Sequence, residues 1–192
     1  MSRSLGAARP AALLALALCA ASAACNDPFS LPPATQPPIE APLTLFAMTG
    51  TPLSQPSAFD MLLQLVARTD RTASFDFAFD IQNDTTAVLL PRGALGLIRD
   101  GGLQITTTPY DSLTLAPDAN YEQGARLPVT AGTVVLAASR SQSCNFGFIR
   151  PLYMKLKVTA IDLVARSITF QTLLDPNCGY RSLKHSTVPP TE

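Results

Sequence analysis

Asp76 and Asp80 stand four positions apart in Phe75–Ile81 and share one side of an alternating apolar stretch, the kind of carboxylate pair a glycosidase uses. On a strand, however, four residues separate them by about 13 Å, whereas such enzymes hold their carboxyl groups roughly 5 to 9.5 Å apart. Both are therefore expected on a solvated face. Nucleophilic hydrolysis needs a base beside the nucleophile. The single histidine, His185, sits in a polar tail that runs into Val188-Pro189-Pro190, and no Gly-x-Ser-x-Gly elbow occurs. Asp118-Ala119-Asn120-Tyr121-Glu122-Gln123-Gly124 offers oxygen ligands at alternate positions, as a calcium loop does. An EF-hand loop wants Gly at its sixth position and Glu at its twelfth; here Gly124 is seventh and Val129 twelfth, so an ordinary polar loop is expected. No Cys/His cluster suits zinc or copper. Neither metal nor cofactor is expected, and no catalytic residue is assigned. Asn83-Asp84-Thr85 matches the glycosylation sequon, a short pattern read here as a chance match.

The cysteines are more informative. Met1–Pro10 carries Arg3 and Arg9 without an acid, Ala11–Ala21 is apolar, and Ser22-Ala23-Ala24 leads into Cys25. That is the layout of a secretory signal, and the apolar run is shorter than the roughly 20 residues of a membrane span. With a cysteine at the cut and a proline-rich stretch after it, the N-terminus resembles a bacterial lipoprotein signal. The resemblance implies that Cys25 is lipidated and becomes the new N-terminus. Ser22 stands where the lipobox pattern places a Leu-like residue; the competing reading is a cut near Ala23 or Ala24 that leaves Cys25 free. Cys19 would leave with the signal. If Cys25 carries lipid, Cys144 and Cys178 remain as a pair; if it is free, an exported protein carries an odd thiol.

The elements that must position these residues read as strands. Phe75, Phe77, Phe79 and Ile81 alternate against Asp76, Ala78 and Asp80. Ala87–Leu90, Leu113–Leu115 and Thr133–Ala138 add strands, and Asp100-Gly101-Gly102 reads as a hairpin turn between Leu95–Arg99 and Leu103–Thr108. Tyr153–Ile161 turns at Asp162–Ser167 into Ile168–Leu174. With that turn near Val164–Ala165, Cys178 falls opposite Leu152, and Cys144 reaches the same end through the short Asn145–Pro151 connection. A disulfide is therefore expected, with two buried free thiols as the alternative. The stretch 57–67 fits either period: Phe59, Leu62, Leu63 and Val66 have helical spacing, while Phe59, Met61, Leu63 and Leu65 alternate. Asp76 and Asp80 on one strand, and Lys155 and Lys157 on another, are expected on solvated faces where they could pair across strands.

Many short strands without alternating helices predict an all-β fold, an antiparallel β-sandwich or else a small closed β-barrel. The expected organisation is a signal peptide over 1–24, a proline-rich tether over 25–42 and one β-domain over 43–192. Six prolines fall between Pro28 and Pro42, which bars that segment from a sheet interior. It is either a tether or a strap lying on the domain. The C-terminal third resembles uncharacterised bacterial lipoproteins ending in an Asp-Pro-Asn-Cys-Gly-Tyr-Arg-Ser-Leu type segment, here Asp175–Leu183. That resemblance implies an exported β-domain with a disulfide and brings no activity.

Removing residues 1–24 removes two of the 14 bases and none of the 14 acids, leaving 14 acids against 12 bases, a net charge of −2. That gives no electrostatic reason to bind nucleic acid. The sequence thus predicts a lipid-anchored cell-envelope protein, non-enzymatic, acting as a structural or protein-interaction module with a possible envelope partner. Soluble secretion or a periplasmic location is the alternative. Phe146, Phe148 and Ile149 are the candidate contact loop, with packing over the disulfide as the plainer reading. Two rival functions are a carrier of a small apolar ligand inside a β-barrel, and a hydrolase using dispersed carboxylates.

Overall fold

The computed structural model describes residues 31–144 and 147–191. Two compact units are distinguished, Met1–Pro32 and Pro33–Glu192, and the fold below is that of the second. Twelve strands occur among the described residues: β1 (Ile39–Phe46), β2 (Ala58–Asp60), β3 (Leu65–Ala67), β4 (Phe77–Gln82), β5 (Thr86–Pro91), β6 (Gly102–Thr106), β7 (Leu127–Pro128), β8 (Val134–Ala138), β9 (Gln142–Ser143), β10 (Ile149–Arg150), β11 (Tyr153–Asp162) and β12 (Ser167–Asp175). They form two five-stranded antiparallel sheets, ordered β1-β12-β11-β8-β6 and β3-β2-β4-β5-β7, and a small β10-β9 pair. Neither sheet closes on itself. The fold is the all-β antiparallel sandwich, and the barrel alternative falls.

The sheets face each other through alternate side chains, as a period of two requires. Leu43, Leu45, Val135, Leu156, Val158, Ile168 and Phe170 of one meet Phe59, Phe77, Phe79, Ile81 and Leu89 of the other in one buried cluster. Burying each such side chain contributes about 1.5 to 3 kcal/mol. The Phe77, Phe79 and Phe170 rings fill the space between the layers, all at 1% exposure or less. Outer faces are covered as well. Tyr110, Leu113, Ala116 and Leu183 lie over Leu136, Tyr153 and Leu173 of the first sheet.

Several expectations are corrected. Phe75 does not share the face of Phe77, Phe79 and Ile81; it packs on the opposite side, with Ala58, Ala78, Val88 and Leu90. The cause is a bulge. Phe79 N–H donates to Ser57 O and Asp76 N–H to Phe59 O. Three residues on one strand therefore span two on the other, and the alternation flips. Asp76 is accordingly buried rather than solvated, and so is Lys155. Asp76 and Asp80 cannot pair with Lys155 and Lys157, because β4 and β11 belong to different sheets. Lys155 Nζ instead donates to the Tyr110 and Leu113 carbonyls at 3.0 and 2.9 Å and lies 4.5 Å from the Tyr110 ring centre. Burial pulls its pKa below the ordinary lysine value.

Asp100-Gly101-Gly102 is not a hairpin turn. Residues Arg92–Leu95 form a 3-10 turn and β6 pairs with β8. Gly101 has φ +78°, and a Cβ there would meet Ala138 O at 2.5 Å, so the glycine serves a close backbone approach. The stretch 57–67 resolves as the β2–β3 hairpin, its turn capped by Asp60 Oδ1, which accepts from Leu62 and Leu63 N–H. Leu113–Leu115 forms no strand beyond a single bridge from Leu115 to Ser182.

The proline-rich segment is partly a strap. Ala34 N–H donates to Tyr180 Oη, Thr35 and Gln36 N–H to Asn177 Oδ1, and Asn177 Nδ2 returns to Gln36 O. β1 then includes Pro42, paired with Gln171. Its edge position is what makes a proline acceptable there. The folded unit therefore begins ahead of residue 43.

Candidate functional site

The charges that sequence places apart meet at one end of the sandwich. Arg140 follows β8, Asp60 ends β2, and Asp76 sits in the bulge before β4. Arg140 Nη2 donates to Asp60 Oδ1 at 2.9 Å, its Nε stands 3.7 Å from Asp76 Oδ1, and its backbone N–H donates to the same oxygen at 2.7 Å. Met61 N–H donates to Asp76 Oδ2 at 2.7 Å, and Ser74 Oγ to Asp60 Oδ2 at 3.1 Å. Nearby, Arg92 Nη1 donates to the Ala73 and Phe75 carbonyls.

Both carboxylates are only 2% exposed. Burial is the main cause that raises the Asp76 pKa above its usual range, with Arg140 and the backbone donors opposing it. Every oxygen of this pair already accepts from the protein. The chemistry this arrangement supports is fastening: Arg140 ties the β2 turn through its guanidinium, and the bulge before β4 chiefly through its backbone N–H, to the end of β8. Spacing gives no hint of it, since the partners lie 64 and 80 positions apart.

Cys144 and Cys178 form the expected disulfide, with 5.8 Å between Cα atoms. β11 and β12 pair with Tyr153 opposite Asp175, and Gly179 N–H donates to Pro151 O. The observed register brings Cys178 level with Arg150 of β10 rather than with Leu152, two positions from the expected one, yet at the same end of the sheet as Cys144. Of the candidate contact loop, Phe146 lies outside the described residues. Phe148 is half-buried with the Arg150 guanidinium 6.0 Å from its ring centre, and Ile149 is 65% exposed on β10. Ile149 at least is not packed over the disulfide. Cys25 also lies outside the described residues.

The other sequence candidates stay dispersed. Asp80 accepts from Thr49 at both carboxylate oxygens. Glu122 Oε1 caps its own loop through Gly124 and Ala125 N–H, and Asp118 pairs with Arg181. His185 Nδ1 lies 2.8 Å from Glu40 Oε1 at the surface. Among the described residues no group of three or more His, Cys, Asp or Glu could hold a metal ion.

A surface that sequence reading left undecided is the hairpin β2–β3. Leu63, Leu65 and Val66 are 65%, 61% and 48% exposed. Leu65 and Val66 border a groove of about 340 Å³ between β1 and β3, lined also by Ile39, Leu43, Phe59 and Leu174 among others. Exposed apolar side chains thus gather beside an apolar groove at this sheet edge. The signal was present as the uncharged run Met61–Ala67, but its period fits a helix as well as a strand.

Comparison with known proteins adds no relative: no family model, no curated protein and no solved structure matches the chain.

Proposed function

We propose that this chain is an exported, lipid-anchored protein of the bacterial cell envelope that works by contact rather than by catalysis. The observation that carries the contact reading is the apolar edge of the β2–β3 hairpin beside its groove, on a sandwich whose interior is filled by aromatic side chains. The carboxylates best placed for acid–base work, Asp60 and Asp76, are engaged by backbone donors and Arg140. That favours a structural role for them over a hydrolytic one.

Anchoring rests on the signal layout and on Cys25. Docking of 34–36 on Asn177 and Tyr180 leaves 25–33 as the stretch between that cysteine and the domain. The disulfide supports an oxidising destination. Mass spectrometry of the protein recovered from a bacterial envelope tests the anchor. A diacylglyceryl adduct on Cys25, and loss of membrane association in Cys25→Ser, are expected; a soluble mature chain with an unmodified Cys25 overturns it.

A further inference from the structure

A proline-rich segment has few backbone donors to give, and this one gives them all to a single place. Pro32-Pro33 and Pro37-Pro38 bracket Ala34-Thr35-Gln36. Between the two proline pairs, only these three residues carry an N–H. All three donate to one turn, 177–180: Ala34 N–H to Tyr180 Oη at 3.1 Å, and Thr35 and Gln36 N–H to Asn177 Oδ1 at 2.9 and 3.1 Å. Asn177 Nδ2 completes the clip by donating to Gln36 O at 2.7 Å. β1 begins only at Ile39, so the clip lies ahead of the sheet and is separate from its ladder.

The turn that receives the strap is also the turn that carries Cys178. Asn177 and Tyr180 flank that cysteine, and Tyr180 N–H closes the turn on Asn177 O at 3.1 Å. From the β12 side, Asp175 Oδ1 steadies Asn177, accepting from its N–H at 2.8 Å and from its Nδ2 at 2.7 Å. On the other side, the Cys144–Cys178 bridge ties the turn to the β9–β10 pair, and Gly179 N–H ties it to Pro151 O at 3.1 Å. Cys144 is placed in turn by its own N–H, which donates to Phe148 O. Four partly buried hydrogen bonds carry little surplus over the cost of ordering the groups that make them. A strap held this way stays down only where its acceptors are already fixed, and the bridge is the covalent tie set between those acceptors.

We propose that the Cys144–Cys178 disulfide is a redox latch for the strap. Closed, it docks residues 34–36; opened by a dithiol reductant, it releases them, and the first fixed residue moves from Ala34 to Ile39. The chemistry is thiol–disulfide exchange. One thiolate of the reductant attacks the sulfur of Cys178, which is partly exposed whereas Cys144 is buried. The Cys144 sulfur leaves and takes a proton. The reductant's second thiol then attacks its own sulfur in the mixed disulfide, and Cys178 leaves in the same way. The bridge gains two electrons and two protons, and the dithiol becomes a disulfide. The prolines suit both states, because their fixed φ keeps the segment extended whether docked or free, which holds the entropy cost of docking down. Release frees residues 34–38, about 15 Å of reach at roughly 3.1 Å per residue. On a chain anchored at Cys25, that length is added to the tether.

The test compares the full chain, purified in mild detergent, before and after reduction with dithiothreitol. Alkylation and peptide mapping report Cys144 and Cys178 separately from Cys19 and Cys25. Hydrogen exchange at the Ala34, Thr35 and Gln36 amides should quicken about tenfold or more on reduction, while β4 and β5 keep their protection. Coupling between two sites is reciprocal: the factor by which the bridge favours docking is the factor by which docking favours the bridge. Thr35→Pro, Gln36→Pro removes two of the three donors and leaves the 177–180 turn unaltered. In that double variant the balance of bridge and thiols, poised with reduced and oxidised glutathione, should move toward the thiols by the same factor. A purely structural bridge would not feel that change in the strap. Unchanged exchange at 34–36 after reduction overturns the proposal, and so does a glutathione balance that the double variant leaves where it was. Protection lost at β4 and β5 together with the strap overturns it too, since the bridge would then hold the whole sandwich. None of these readouts depends on lipid at Cys25 or on the β2–β3 surface, so failure here leaves the proposed function standing.

Discussion

Arg140 Nη2 reaches Asp60 Oδ1 at 2.9 Å across 80 positions of sequence, and the same residue's backbone N–H holds Asp76. One arginine thus ties the β2 turn, the β4 bulge and the end of β8. Arg140→Met should cost about 3 to 5 kcal/mol, because it strands two buried carboxylates without their cation. Asp60→Asn in the same chain should recover part of that loss. Urea unfolding of the single and double variants checks it; a single-variant loss under about 1 kcal/mol would mean that the backbone donors alone compensate both charges.

The strands that sequence reveals most clearly are those facing two environments. β11 and β12 turn where expected and from their pairing the disulfide follows, although β11 bulges between Val158 and Ala160 and its outer residues Tyr153 and Lys155 are buried. β4 reads correctly from Phe77 onward, but nothing in Phe75-Asp76-Phe77 announces the bulge. An apolar–polar–apolar triplet looks alike whether the aspartate meets water or a distant Arg140. Lys155 escaped for a related reason. Its partners are carbonyls of a 3-10 turn, and backbone acceptors leave no mark in a sequence. Pro42 marked an edge, and composition alone cannot say whether an edge strand docks or dangles. The β2–β3 hairpin was ambiguous because its apolar spacing satisfies two periods at once, and Asp60 capping the turn decides between them.

Phe77 and Phe75 separate the two faces of the second sheet experimentally. Phe77 is fully buried between the layers, so Phe77→Ala should cost about 3 to 5 kcal/mol. Phe75→Ala removes a ring from the outer cover, where Met48, Leu95 and Leu97 are only partly buried neighbours able to collapse inward. Its cost should be smaller. Equal losses in chemical denaturation would argue for one continuous face and against the bulge.

Reducing the disulfide should loosen the fold without dissolving it. Cys144 and Cys178 are separated by 34 positions, and closing such a loop stabilises by about 3 to 4 kcal/mol in the chain-entropy model. The Cys144→Ser, Cys178→Ser variant should show that drop in urea midpoint. It should also speed hydrogen exchange at β9, β10 and residues 177–183, while β4 and β5 keep their protection order. A uniform increase everywhere would instead mean that the bridge supports the whole sandwich cooperatively.

Asp76 gives the acid side of the stability profile a definite sign. Its pKa is raised in the folded protein, with burial the largest cause and the Asp60 charge adding to it against Arg140 and the Met61 and Arg140 backbone donors. A carboxyl group whose folded pKa lies above its unfolded value of about 3.9 binds its proton more tightly when folded. Its favourable contribution is therefore complete below the unfolded pKa and is lost as pH rises through the folded one. Asp76→Asn removes that titration while keeping a side chain of the same size. The stability of the unaltered chain relative to Asp76→Asn should consequently improve as pH falls from about 7 toward 4, whatever the offset between the two at neutral pH. Urea unfolding at intervals across that range measures the gap directly. A gap that narrows on acidification would show that the Arg140 guanidinium and the two backbone donors outweigh burial and hold the carboxylate ionised.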